Sequence, residues 1–443
     1  MHGGRGGVAQ REEKRGMGCP EACGYWSSGL TLVLVNAGQI LLVLFAGCAA
    51  VQGAVYILVF ARVLFYKDRG LEAASAAPER VTVLVCARNE APNLRNNLPS
   101  LLAQQYPDWE LLVVDDGSTD GSAAWLDEQA LLHPRMRVLH VAAAEKPGPG
   151  KKGALALGIA QASGSILLLT DADCRPSSPY WMQHMASAFN GSDPSSDSVS
   201  NPGSDSVSDP GSDRSANPPG NASKTRAPTV DFVLGYGAYS PGPGWLNCVV
   251  QFETLHTLLQ YASWTLAGMP YMGVGRNLAY RKSVFLEGGG FSAHQHWPSG
   301  DDDLFVNANA KKGRVALCLH PQAWTESAPP ATWSAWVTQK SRHLSTGVFY
   351  RPLHRIVLGI YAMSHFGLYA TLLASSAVCG WIPWILLVFL LRLLVLHGMI
   401  WHLGKRFNRP LLWHFSTIFD FWTVAYYARF VGSTLSPKPP LWR

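Results

Sequence analysis

The sequence predicts an α/β fold, a Rossmann-like sheet held between membrane-spanning helices. Three observations carry that prediction. Between residues 80 and 190 short apolar runs alternate with helical segments, and such alternation implies parallel strands joined by right-handed crossovers. On either side lie apolar stretches long enough to cross about 30 Å of hydrocarbon: Leu30 to Ala61 holds no charged residue, and three more occupy residues 356–378, 381–401 and 411–433. Finally, the run Ser165-Ile-Leu-Leu-Leu-Thr170 ends in Asp171-Ala-Asp173-Cys174. This delivers two carboxylates, one residue apart, to the carboxyl end of a buried strand, where open α/β sheets bind ligands.

Composition agrees. Of 443 residues, 48% are hydrophobic and 15% charged, against roughly 25% charged in an ordinary soluble domain. Apolar surface therefore exceeds what one soluble core needs, and a membrane accounts for the excess. The net charge of +6, from 36 Lys+Arg and 30 Asp+Glu, is too mild to argue for a nucleic-acid partner. The 8 cysteines are scattered without a Cys-x-x-Cys pair, which suggests neither a zinc site nor a disulfide framework and fits a reducing compartment.

In chain order, residues 1–28 are Gly-rich and aperiodic and read as a disordered tail, with Met17 as an alternative start. Residues 29–66 form an anchor. They lack a small-residue cleavage site at the right distance, and Arg62, Lys67 and Arg69 at their end place the domain after them on the cytoplasmic side. The expectation is an integral protein of the inner (plasma) membrane. Residues 78–350 make the main domain, opening with strands Val81–Cys86, Trp109–Val114, Arg137–Val141 and Ser165–Thr170, and helices Pro92–Gln104, Thr119–Leu132 and Lys151–Ala162 between them.

Residues 190–228 repeat Ser-Asp-Ser-Val-Ser and Pro-Gly-Ser-Asp; with so few apolar residues they read as a disordered insertion. Asn190-Gly-Ser and Asn221-Ala-Ser fit the glycosylation pattern, but on the cytoplasmic side such matches are chance. Folded sequence resumes at Val230–Gly235 and continues through an amphipathic segment, Trp245 to Leu266. Residues 355–433 are read as transmembrane or interfacial helices, two or three in number. The third contains Asp420 and Arg429, and the short link at 379–380 leaves open a re-entrant or interfacial segment.

Side chains at i and i+2 of an extended segment point the same way, so Asp171 and Asp173 can approach one divalent cation together with a diphosphate. Four further stretches lie at strand ends or helix starts: Ala87-Arg-Asn-Glu90, Asp115-Asp-Gly-Ser-Thr-Asp120, Lys151-Lys-Gly-Ala-Leu155 and Gly300-Asp-Asp302. A nucleotide needs acceptors for its base and ribose, a cation and a helix N-terminus for its phosphates, and a carboxylate to deprotonate an attacking hydroxyl. Taken singly each stretch has a plainer reading: a turn and cap at Asp115-Asp116, a solvated helix start at Lys151, an acidic helix N-terminus at Asp301 to Asp303. Trp245, Trp264 and Trp297 are candidates for a sugar site, with core or interface packing the commoner role of such residues.

The set, in this order, resembles the membrane-bound inverting glycosyltransferases of family 2, which include cellulose, hyaluronan and chitin synthases and many lipid glycosyltransferases. The resemblance runs from Val81 to His343 and implies a GT-A fold, a nucleotide-diphospho-sugar donor, and Mg²⁺ or Mn²⁺ as cofactor. It implies that Glu90 and Asp115 or Asp116 contact base and ribose, Lys151 the diphosphate, Asp171 the nucleotide, and Asp173 the metal. The family's general base matches Asp302 of Gly300-Asp-Asp302, with Asp301 and Asp303 as rivals. Its Gln-x-x-Arg-Trp motif, which meets the diphosphate and the acceptor, appears as Gln339-Lys-Ser-Arg342-His343. An imidazole here replaces the Trp that grips a growing chain, and is expected to titrate near neutrality. The expected partners are the donor, the membrane, and a lipid or saccharide acceptor, with single transfer to a membrane lipid favoured. A processive polysaccharide synthase and an inactive nucleotide-sugar-binding subunit are the alternatives.

Overall fold

The computed structural model describes residues 21–68, 78–190, 229–379 and 383–435; the start of the predicted tail, nearly all of the insertion at 190–228 and the link between the first two C-terminal helices lie outside them. The described residues open with helix α1 (Glu21–Ala54), so residues 21–28 are helical where the sequence reading has a tail. The helix passes through a π turn (Val55–Phe60) into a last turn, Ala61–Phe65.

The main domain then runs β1 (Val81–Ala87), α2 (Ala91–Leu102), β2 (Trp109–Asp115), α3 (Ser122–Leu132), β3 (Met136–His140), α4 (Gly150–Gln161), β4 (Ile166–Asp171), β5 (Cys174–Pro176) and α5 (Trp181–Ser187). After the insertion come β6 (Phe232–Gly235), β7 (Gly237–Tyr239), α6 (Trp245–Leu266), β8 (Leu278–Arg281), α7 (Lys282–Glu287), α8 (Asp303–Asn309), β9 (Val315–Cys318), β10 (Thr325–Ser327) and α9 (Trp333–Leu344). Helices α10 (Pro352–Cys379), α11 (Pro383–Arg406) and α12 (Ser416–Leu435) close the chain.

Seven strands form one sheet in the order β3-β2-β1-β4-β8-β6-β9. The first four are parallel, as the alternating pattern predicts. β8 runs antiparallel to both its neighbours, a reversal that the sequence reading does not contain. A small sheet, β5-β10-β7, sits beside the carboxyl edge. The fold is GT-A-like. Strands β1, β2 and β4 read as unbroken apolar runs because both faces are covered: Val81, Val83, Val85, Leu111, Val113 and Leu168 pack on one side and Leu84, Leu112, Val114, Leu167 and Leu169 on the other.

Among the described residues three helices are long and apolar enough to cross a membrane: Asn36–Phe65, Pro352–Val378 and Pro383–Arg406. α12 is not one of them. Its Asp420 is nevertheless buried, paired with Arg392 of α11 and accepting from Tyr369 Oη of α10 at 2.6 Å. Arg392 also donates to Gln52 Oε1 of α1 at 3.2 Å, so one charged cluster joins all four helices, as charges at membrane depth require partners. Where the helices meet the sheet, Arg406 donates to the carbonyls of Val63 and Tyr66 and pairs with Asp68 at 3.0 Å, while Asp68 accepts from the Leu319 amide.

Candidate active site

Register places the carboxylates. Cys86 pairs with Asp171, and Ala87 with Asp115, so three adjacent strands end at one level of the sheet edge. Lys151 reaches this edge from the first turn of α4, which begins at Gly150 with φ +71; a Cβ there would stand 2.9 Å from the Pro298 carbonyl oxygen. Lys151 pairs with Asp171 and, at 3.3 Å, with Asp301. Burial raises the Asp171 carboxyl, but the Lys151 charge and hydrogen bond outweigh it and leave the pKa below the usual range. Asp173 is pushed upward, by burial and by the Asp171 charge.

A carboxylate oxygen of Asp171, one of Asp173 and the Cys174 Sγ lie within 4.8 Å of one another. Two carboxylates that repel each other suit a hard divalent cation. Burial and the charges of Asp173 and Asp171 raise the Cys174 thiol well above its ordinary pKa; the two carboxylates are the hard oxygen donors of the group and suit Mg²⁺ or Mn²⁺.

Glu90, held by Asn93 Nδ2 at 2.6 Å, is raised by burial, and the charges of Asp173 and Asp171 add to the shift. Asp115 and Asp116 point to different partners. The buried Asp115 accepts from the Ser118 amide and faces His140 Nδ1 at 3.1 Å; Asp116 pairs with Lys146 at 2.8 Å. Hydrogen bonds to Asp127 and Asp115 raise the His140 pKa. The sequence reading had neither His140 nor Lys146.

The three consecutive acids separate just as cleanly. Asp301 turns to Lys151. Asp303 is buried and spent on structure, its Oδ2 accepting from Thr346 Oγ1 at 2.5 Å and Tyr350 Oη at 2.8 Å. Asp302 caps α8 through the Asp303 amide at 2.7 Å and accepts from the Gly275 amide at 2.7 Å. Burial and the charges of Asp301 and Asp303 nonetheless raise its pKa to about 7.

Asp302 lines a cavity of about 780 Å³ that runs from the main domain between α6, α9, α10 and α12. Arg276, Lys340 and His343 also line it, as do Ile356, Gly359, Trp422, Tyr426 and Phe430. His343 lines the cavity with its side chain exposed. Desolvation on the cavity side and the positive charges of Lys340, Arg342 and Arg276 push its pKa below the ordinary histidine value. Arg342 stands near enough to Asp171 to lower its pKa. Gln339 is not on the cavity wall, and its buried Oε1 has no partner among the described residues. Trp245 stacks on Phe419, Trp264 lies in the core and Trp297 packs on Phe349; none lines the cavity.

Residues 82–237 match Glycosyl transferase family 2, and residues 221–431 match Glycosyl transferase family group 2. The chain is 33% identical over 113 residues to the glycosyltransferase AglE of Haloferax volcanii, covering 25% of this chain and 36% of that protein. It is 32% identical over 156 residues to a beta-monoglucosyldiacylglycerol synthase of a Nostoc species, covering 34% and 31%. The chain thus spans about a third of the length of these curated relatives. A mannosyltransferase structure from Pyrobaculum calidifontis, in complex with GDP-Man and Mn²⁺, is similar at 20% identity and a TM-score of 0.48, over 87% of this chain and 99% of that one.

Proposed function

Because the chain belongs to glycosyl transferase family 2, we propose that it moves a sugar from a nucleotide-diphospho-sugar to the hydroxyl of a membrane lipid, at the cytoplasmic face, with inversion at the anomeric carbon. The observation that carries the acceptor is the cavity: a single space reaches from Asp302 to α12 and to α10, a helix long and apolar enough to cross a membrane, so an acceptor with an apolar body can present its hydroxyl to Asp302 from the bilayer. The Nostoc relative, whose name describes a glucosyldiacylglycerol product, supports the same reading.

In this mechanism Asp302 takes the hydroxyl proton. The acceptor oxygen forms its bond to the anomeric carbon as the bond from that carbon to the diphosphate oxygen breaks, and the nucleoside diphosphate leaves with both electrons. A pKa near 7 makes Asp302 a stronger base than an ordinary carboxylate, ionised in useful amount at neutral pH. Asp171 and Asp173 would hold Mg²⁺ or Mn²⁺, which supplies charge neutralisation at the diphosphate. Lys151 holds Asp171 and Asp301 in place beside it, Arg342 adds positive charge from α9, and Glu90, Asp115 and Asp116 line the nucleotide side.

The imidazole of His343 offers less apolar area than an indole, which favours one or a few transfers over a long polymer. Incubating membranes that contain the protein with labelled UDP- and GDP-sugars and Mn²⁺, then sizing the product, tests the reading. Label in the organic extract is expected; label in high-molecular-weight polysaccharide overturns it in favour of a processive synthase.

A further inference from the structure

Arg276 is absent from every motif picked out in the sequence, yet it occupies the junction of the two halves of the site. Its backbone is clamped from both sides. The carbonyl accepts from Thr170 Oγ1 at 3.0 Å, one residue before Asp171, and from Thr325 Oγ1 at 2.9 Å. The amide of the preceding Gly275 donates to Asp302, and a Cβ on Gly275 would come within 3.1 Å of Asp302 Oδ2. The following Asn277 is fully buried and receives Trp181 Nε1 at 3.0 Å while donating to Tyr236 O and Ala323 O. Through its backbone Arg276 is thus tied to the strand that ends in Asp171, and through Gly275 to Asp302.

The side chain is as firmly held. Its guanidinium donates to Ala238 O at 3.1 Å, Gly237 O at 3.0 Å and Ser327 Oγ at 2.8 Å, and lies 4.0 Å from the centroid of the Tyr239 ring. What it lacks is a counter-charge. Among the described residues no carboxylate comes within salt-bridge distance of Arg276, whereas Lys151, Lys146 and Lys340 each have one. An enclosed guanidinium on neutral partners alone is costly unless an anion completes it. Its charge is felt at Asp171 and Asp173, whose pKa values it lowers, and it lines the cavity beside Asp302. The unmet charge therefore lies between the candidate metal ligands and the base.

We propose that Arg276 is a further catalytic residue, a preset cationic contact for the diphosphate oxygens of the donor, which takes up the negative charge that develops there as the glycosidic bond breaks. The proposal rests on the donor-site reading above. An arginine suits the task because its planar fork keeps donors available after three are engaged, and because a contact already rigid needs no reorganisation when charge develops. It differs from Arg342, which comes from helix α9 and has no hydrogen-bonded support for its side chain among the described residues.

The test uses the full chain in detergent, with inorganic pyrophosphate and Mn²⁺ as the minimal diphosphate, read by thermal shift. In the wild type, pyrophosphate with Mn²⁺ should raise the melting temperature saturably. Arg276→Gln should move the pyrophosphate midpoint upward by on the order of tenfold or more, the loss expected of one charge-assisted hydrogen bond, while the response to Mn²⁺ alone is not weakened, because a positive charge near Asp171 and Asp173 has been removed. Arg276→Lys keeps the charge and carries the test if the Gln variant does not fold; an intermediate midpoint is expected, because the fork is lost. Asp302→Asn should keep the wild-type midpoint. Equal midpoints in wild type and Arg276 variants overturn the proposal alone and leave Arg276 as a strut between the two sheets. If pyrophosphate has no effect on the wild type, the proposal falls together with the donor-site reading.

Discussion

As the proposed base, Asp302 joins two demands that usually conflict, since a cap wants a charged carboxylate and a base at neutral pH wants one reluctant to ionise. The two amides that it accepts stabilise its anion, but burial and the flanking acids win and lift the pKa to about 7. Transfer should therefore fall away as pH drops through about 7, seen as the acid limb of the kcat/KM profile. Asp301→Asn removes one of the two raising charges and should shift that limb to lower pH; an unmoved limb would assign it to another group. Asp302→Asn should abolish transfer, by about 10²-fold or more, with donor binding retained in a titration. Because the folded-state pKa lies above that of an unfolded aspartate, about 3.9, this carboxyl favours folding most below about pH 4 and loses that contribution as pH rises through 7. The family resemblance points to Asp302 as the base and leaves Asp301 and Asp303 as rivals. What distinguishes them are Thr346 and Tyr350, 43 and 47 positions away from Asp303, and a spacing rule has no access to partners so distant. Arg276 was invisible for the same reason.

At the scale of elements, legibility follows burial. β1, β2 and β4 are covered on both faces, so each announces itself as an apolar run, and α6 fills the predicted segment Trp245–Leu266 from end to end. β5, β7 and β10 have three residues each, too few for any period to show, and β8 takes its antiparallel direction from pairing alone. Two elements offer checks. Gly150 opens α4 at positive φ against Pro298, so Gly150→Ala should cost about 1 kcal/mol or more in unfolding free energy and raise the donor KM through Lys151. In the helices, Arg392→Met strands Asp420 in an apolar setting and should cost about 3–5 kcal/mol, whereas Arg392→Met with Asp420→Leu should recover most of it. Thermal unfolding in detergent separates the two results.

For the molecule as a whole, the sequence indicated apolar helices on both sides of an α/β domain but not that α10 and α12, on the C-terminal side, enclose a cavity with it. That enclosure comes from the way α10 and α12 pack, which periodicity does not encode. Gly359 lies on the cavity wall, and a Cβ there would meet nothing within 4 Å. Gly359→Phe should thus leave folding and pyrophosphate binding intact while weakening transfer to lipid, measured as a higher KM for the acceptor; unchanged kinetics would move the acceptor path elsewhere. The charged cluster among the helices has a consequence for biogenesis. Synthesis runs from the N-terminus, so Gln52 and Arg392 are made before Asp420, which lies 28 positions beyond Arg392. Until that last helix arrives, α11 carries a cation at membrane depth with only neutral partners. A nascent chain halted at Phe415 should accordingly remain open to proteolysis, and the bundle should acquire its protection in a single late step, when its final segment is released.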